Sequence, residues 1–135
     1  MALRLTILTG CRTKEVLEAP WCEFDRTRER VWTIPPERMK GGIVHRVPLG
    51  DAAIEEVLDA LEKLPPSEWL FASQQQRRDR RNRSVSSMLM RRVLQRLGHA
   101  GLSVHGFRSS FRDWAAEQAT RFPRLDGERA YPRGA

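Results

Sequence analysis

The sequence predicts a mainly α-helical protein with a small antiparallel β-sheet, an α+β class, from three observations. Apolar residues recur at helical spacing over residues 51–64, 84–98 and 105–121. Three short stretches with β-branched and aromatic residues cluster between residues 21 and 48, parted by turn-forming segments. The opening residues have the pattern of a helix, a tight corner at Gly10 and a second helix. At 135 residues the chain is long enough for one hydrophobic core but not for two independent ones.

Each element has a local reason. Residues 2–8, ALRLTIL, are helix-compatible, and Thr9-Gly10 breaks them, because glycine enters the left-handed conformation that ends helices. A second helix is expected over residues 13–19, stopping before Pro20. Strands are expected at residues 21–24, 30–34 and 43–48, separated by DRTRE and PPERMKGG. Asp51 is placed as the N-cap of the next helix, whose Ile54, Val57, Leu58 and Leu61 share one face and which ends at Pro65-Pro66. Trp69, Leu70 and Phe71 read as a short buried segment, and residues 74–83, QQQRRDRRNR, as a loop or frayed helix end. Ser84 is placed as the N-cap of a helix with Val85, Met88, Leu89, Val93, Leu94 and Leu97 as its apolar positions and Gly98 at its end. In the last helix Phe107, Phe111 and Trp114 are expected to face the core. Trp21, Trp32, Trp69 and Trp114 are all assigned to the core or its edge, since no basic residues interleave them as a base-stacking platform would require.

Charge narrows the function. Lys and Arg number 24 against 17 Asp and Glu, a formal net charge of +7, which favours a polyanionic partner. Only Lys14, Lys40 and Lys63 are lysines, and the rest is guanidinium, which grips phosphate oxygens in bidentate fashion. Nucleic acid is therefore the leading partner and an anionic membrane the weaker one. Five arginines, Arg77, Arg78, Arg80, Arg81 and Arg83, lie in ten residues without an apolar side chain and are assigned to DNA-backbone contact, as is Arg112. Two cysteines, Cys11 and Cys22, with no Cys/His cluster argue against a zinc site and against a disulfide scaffold, so no metal is expected and a reduced cytoplasm fits. No apolar run approaches the length of a bilayer span.

In VHGFRSSFRDW, His105 and Arg108 stand three residues apart and so share one helix face, where they can address one ligand together. If Arg12 came from its corner to meet them, two guanidiniums and an imidazole would surround one phosphate. Such a cluster suits attack on a phosphodiester, where negative charge builds on the non-bridging oxygens. Lys40, in the expected hairpin turn, could protonate the leaving oxygen, and Tyr131, the single tyrosine, is a candidate nucleophile.

Three ordered segments, ILTGCRTKEVLEAPWCEFD, PPERMKGGIVHRVPLGD and LSVHGFRSSFRDWAAEQATRFPR, resemble the catalytic domain of tyrosine recombinases, in the phage-integrase branch. The resemblance covers roughly residues 2–124 and makes 1–124 an integrase catalytic domain, with 125–135 an irregular tail carrying Tyr131. It implies double-stranded DNA as substrate and strand exchange through a 3′-phosphotyrosyl intermediate, with no metal or energy cofactor. By the same resemblance Arg12 and Arg108 would clamp the phosphate, Lys40 would be the general acid, His105 the helix-borne acid/base, and Tyr131 the nucleophile. Glu15 would be a structural acid beside the first arginine.

The chain departs from the family pattern at both ends. It starts almost directly at the first-arginine helix, so the preceding DNA-clamping domain is expected to be absent, and Tyr131 lies too near Arg108 for the family's intervening helix. His45 and His99 do not fit the further histidine that this helix carries. Impaired recombination is the expectation, and self-association on DNA is implied by the family but weakened without its C-terminal tail. The alternative reading is a non-catalytic basic DNA-binding module that keeps only the phosphate site. An RNA-binding helical domain is disfavoured for want of an aromatic single-strand platform.

Overall fold

A computed structural model describes residues 1–72 and 85–118. These form five α-helices and one three-stranded sheet: α1 Ala2–Thr9, α2 Thr13–Leu17, β1 Phe24–Asp25, β2 Val31–Ile34, β3 His45–Pro48, α3 Asp51–Lys63, α4 Met88–Arg96 and α5 Val104–Gln118. The mixed architecture agrees with the α+β expectation. Ser84, Tyr131 and the run from Arg77 to Arg83 lie outside the described residues, as does the expected end of the last helix at residues 119–121.

α1 is central, packing against α2, α3, α4 and α5. Its Leu5 and Thr6 are buried, and the Thr6 hydroxyl donates to the Met90 thioether of α4 at 3.7 Å. The helix ends at Gly10, whose φ of 62° is left-handed and whose N–H donates to the Thr6 carbonyl. This is the cap that the Thr9-Gly10 break predicts. A second constraint acts on the same residue. A Cβ at Gly10 would lie 2.6 Å from Cδ1 of Phe111 in α5, so the glycine is needed for close approach as well as for its backbone angle.

The sheet is antiparallel in the order β1-β2-β3. Phe24 pairs with Trp32, and Trp32 with Val47, so these three side chains share the inner face. The Phe24 and Trp32 rings stack at 4.9 Å. Residues 21–23 form a 3-10 turn rather than strand, leaving β1 only two residues long, and Ile43 and Val44 are exposed ahead of β3. The buried segment foreseen at Trp69, Leu70 and Phe71 is fastened by the Leu70 N–H donating to the Ala19 carbonyl at 2.8 Å.

Several side chains lie elsewhere than the pattern predicts. Gly50, not Asp51, is the N-cap of α3, and Asp51 pairs instead with Arg30. Leu58 is exposed, while Ala53, Ile54, Val57 and Ala60 are buried. Glu56, on that buried side, is satisfied by Arg4 at 2.8 Å. α4 begins at Met88 and buries Met90 and Leu94, leaving Met88, Leu89 and Leu97 exposed, since the contact with Thr6 sets its rotation. In α5 no residue is fully buried. Phe111 and Trp114 are 38% and 55% exposed, contrary to the expected core face, because among the described residues α5 packs mainly on α1. Trp32 is fully buried and Trp69 half-buried, but Trp21 joins Trp114 at the surface.

The double constraint on Gly10 is testable. Gly10→Ala should destabilise the chain by about 1–2 kcal/mol from the left-handed backbone alone, and by more from displacement of the Phe111 ring. In a Phe111→Ala background the same change should cost measurably less. Urea unfolding of the two single variants and the double variant checks this, and equal costs in both backgrounds would remove the ring contact from the account.

Candidate phosphate-binding site

The site is built around the corner between α1 and α2. Arg12 has an extended backbone, with φ −73° and ψ 148°, at the N-cap of α2. Glu15, three residues on and buried, accepts the Arg12 backbone N–H at 2.8 Å and its Nη1 at 2.7 Å. One carboxylate thus fixes both the helix start and the direction of the guanidinium. The structural role expected of Glu15 is visible in these two bonds. The Arg12 side chain remains 42% exposed, so part of its donor fork faces solvent.

Arg108 reaches the same corner from the far end of the chain. Its Nη1 donates to the Gly10 carbonyl at 2.6 Å across 98 residues. His105 lies one helical turn before Arg108, exposed in the first turn of α5. The Ser103 Oγ accepts the Gly106 N–H at 3.0 Å and so supports this helix start. Arg112, one turn further along, is exposed, as a surface contact requires.

Two other side chains register both arginines. Cys11 is buried, and burial pushes its thiol up to about 11, against the pull of a Thr9 hydrogen bond and of Arg108 and Arg12, with Glu15 adding to the rise. His45 is half-buried opposite Ile34, on the face of the sheet that carries Val47. Its pKa is lowered first by burial and then by Arg108 and Arg12, while Glu15 opposes them. His45 thus stands within the field of the arginine pair. Strand alternation with Val47 is the signal that points it inward. His99, by contrast, is exposed in the turn after α4.

Lys40 occupies the turn between Met39 and Gly42, which the Gly42 N–H closes on the Met39 carbonyl at 3.0 Å. Its side chain is exposed. The described residues bring Arg12 and Arg108 to one corner with His105 a turn away, and Lys40 lies in the turn that follows Arg38.

The profile of the phage integrase family matches residues 1–121. The chain belongs to the phage integrase family. It is 33% identical to the integrase of Shigella phage Sf6 over 114 residues, and 32% identical to the prophage integrase IntS of Escherichia coli K12 over the same length. A second Escherichia coli protein, prophage integrase IntZ, is 30% identical over 111 residues. These alignments cover 82% of this chain but only 26 to 28% of the relatives, so the chain spans under a third of their length. No solved structure matches. Among the described residues no helix is long and apolar enough to cross a membrane.

His45 gives the fold a pH dependence of known sign. Its folded pKa is below the ordinary 6.5, so the neutral form is favoured in the folded chain. Its contribution to stability is complete above pH 6.5 and is lost as pH falls through the folded value. Urea unfolding between pH 7.5 and 5 should show stability falling with pH, and His45→Gln should flatten that fall. An unchanged slope in the variant would place the proton uptake elsewhere.

Proposed function

We propose that this chain carries the catalytic centre of a site-specific DNA recombinase working by metal-free transesterification. The observation that carries the proposal is the convergence of Arg12 and Arg108 on the Gly10 corner from opposite ends of the chain. Two guanidiniums there suit a phosphodiester, whose non-bridging oxygens gain charge at the pentacoordinate stage. In this reading Arg12 and Arg108 bind those oxygens, joined by His105. The Tyr131 hydroxyl oxygen attacks phosphorus while His105 takes its proton. The bond from phosphorus to the 5′-oxygen breaks, and Lys40 gives that oxygen its proton. The products are a 3′-phosphotyrosyl linkage and a free 5′-hydroxyl, and attack by another 5′-hydroxyl reverses the steps. Membership of the phage integrase family supports this chemistry, and the shortened interval between Arg108 and Tyr131 supports a slow reaction in this chain.

The direct test is a covalent adduct. The chain is incubated with a randomised duplex library, and DNA-linked protein is recovered on a denaturing gel. An adduct is expected that vanishes in Tyr131→Phe and falls by roughly 10²–10³ in Arg12→Ala or Arg108→Ala, the loss typical of removing one preorganised donor. Salt-sensitive binding without any adduct would sink the recombinase reading and leave the non-catalytic DNA-binding module.

Backbone contact by the arginine run is tested separately by its salt slope. Each phosphate contact contributes about 0.9 to the slope of log K against log salt. Replacing Arg77, Arg78, Arg80, Arg81 and Arg83 with Gln should therefore lower its magnitude by as much as about 4.5. An unchanged slope would remove these five residues from the interface.

A further inference from the structure

The turn that carries Lys40 is tied to the corner that carries Arg12 by a side chain the reaction scheme leaves out. Arg38 ends the 3-10 turn Pro36–Arg38 and is largely buried. Its Nη1 donates to the Glu23 carboxylate, and its Nη2 to the backbone carbonyl of Glu15. Glu23 is itself held by the Nε1–H of the fully buried Trp32 at 2.9 Å. The Glu15 carbonyl belongs to the last turn of α2, where helix carbonyls lack a partner within the helix. Arg38 supplies that partner.

We propose that Arg38 is a positioning residue, which holds the Lys40 turn against the Arg12 corner through the chain Trp32–Glu23–Arg38–Glu15. Three features support it. Arg38 is two residues from Lys40, and the intervening Met39 packs against the core. Consecutive hydrogen bonds run through this stretch, from the Met39 N–H to Pro36 and from the Gly42 N–H to Met39, both at 3.0 Å, so a shift at Arg38 is passed to Lys40. Glu15 is the residue whose carboxylate orients Arg12, so its backbone and side chain join the two halves of the site in one residue. A guanidinium is required because one planar fork has to reach two acceptors on different elements. The role toward catalysis rests on the reading of Lys40 as the acid that protonates the leaving oxygen.

Two readouts test it. Amide hydrogen exchange is compared in the wild-type chain and in Arg38→Met, which keeps the side-chain length and drops the fork. Exchange should rise roughly tenfold or more at Met39 and Val16, on the two sides of the link, as expected for the loss of a charge-assisted hydrogen bond. Leu64, at the end of α3, should be unchanged, and Arg38→Lys should fall between wild type and Arg38→Met. Unchanged exchange at Met39 and Val16, or an equal rise at Leu64, would overturn the proposal. The second readout uses a duplex recovered from the adduct selection, made with oxygen or with sulfur at the bridging 5′ position. A thiolate leaves without a proton, so Arg38→Met should cleave the oxygen substrate slowly and the sulfur substrate at close to the wild-type rate. An equal loss on both substrates would mean that Arg38 does not act through Lys40. A wild-type chain that cleaves neither would remove the recombinase reading, and the exchange result would still decide whether Arg38 holds the turn.

Discussion

The hydrogen bond from Arg108 to the Gly10 carbonyl closes the site, and the geometry around it follows from what that closure requires. It joins the end of the first helix to the last described one across 98 residues. For α5 to come so close, residue 10 must lack a side chain, because the Phe111 ring, one turn after Arg108, occupies the space a Cβ would fill. The same residue must take a left-handed backbone to end α1. Only glycine meets both demands without strain. The corner that follows then presents Arg12 beside the Arg108 anchor.

Electrostatics explain why Glu15 is buried there. Two guanidiniums near one corner repel each other. A carboxylate bonded to both the backbone and the side chain of Arg12 offsets part of that charge and fixes its direction. Its acceptors are used on Arg12, whose side chain still has part of its donor fork facing solvent. The neighbouring Cys11 and His45 are both held in their neutral forms, chiefly by burial, so no further charge is added to the corner.

Much of this was legible in the residues. The helix–corner–helix start, the three-stranded segment and α3 follow from glycine and proline punctuation and from apolar spacing. The rotations of α4 and α5 were not, because they depend on single tertiary contacts, Met90 with Thr6 and Phe111 with Gly10, that periodicity does not encode. Phe111 and Trp114 look like a core stripe in sequence, yet their helix rests on one neighbour and leaves them exposed. The placement of Arg12 at the corner, Glu15 beside it and Arg108 on the last helix was readable from their motifs. The inward face of His45 follows from strand parity with Val47, and Arg38 was missed because its partners are a carboxylate 15 residues away and a backbone carbonyl 23 residues away.

The central claim is that Arg12 and Arg108 form one phosphate site. A crystal structure grown with vanadate, a mimic of the pentacoordinate phosphate, tests it most directly. The account predicts one vanadate within hydrogen-bonding distance of both guanidiniums, with the His105 imidazole on the same ion. Vanadate bound elsewhere, or the two guanidiniums turned to separate partners with no shared ion between them, would contradict it.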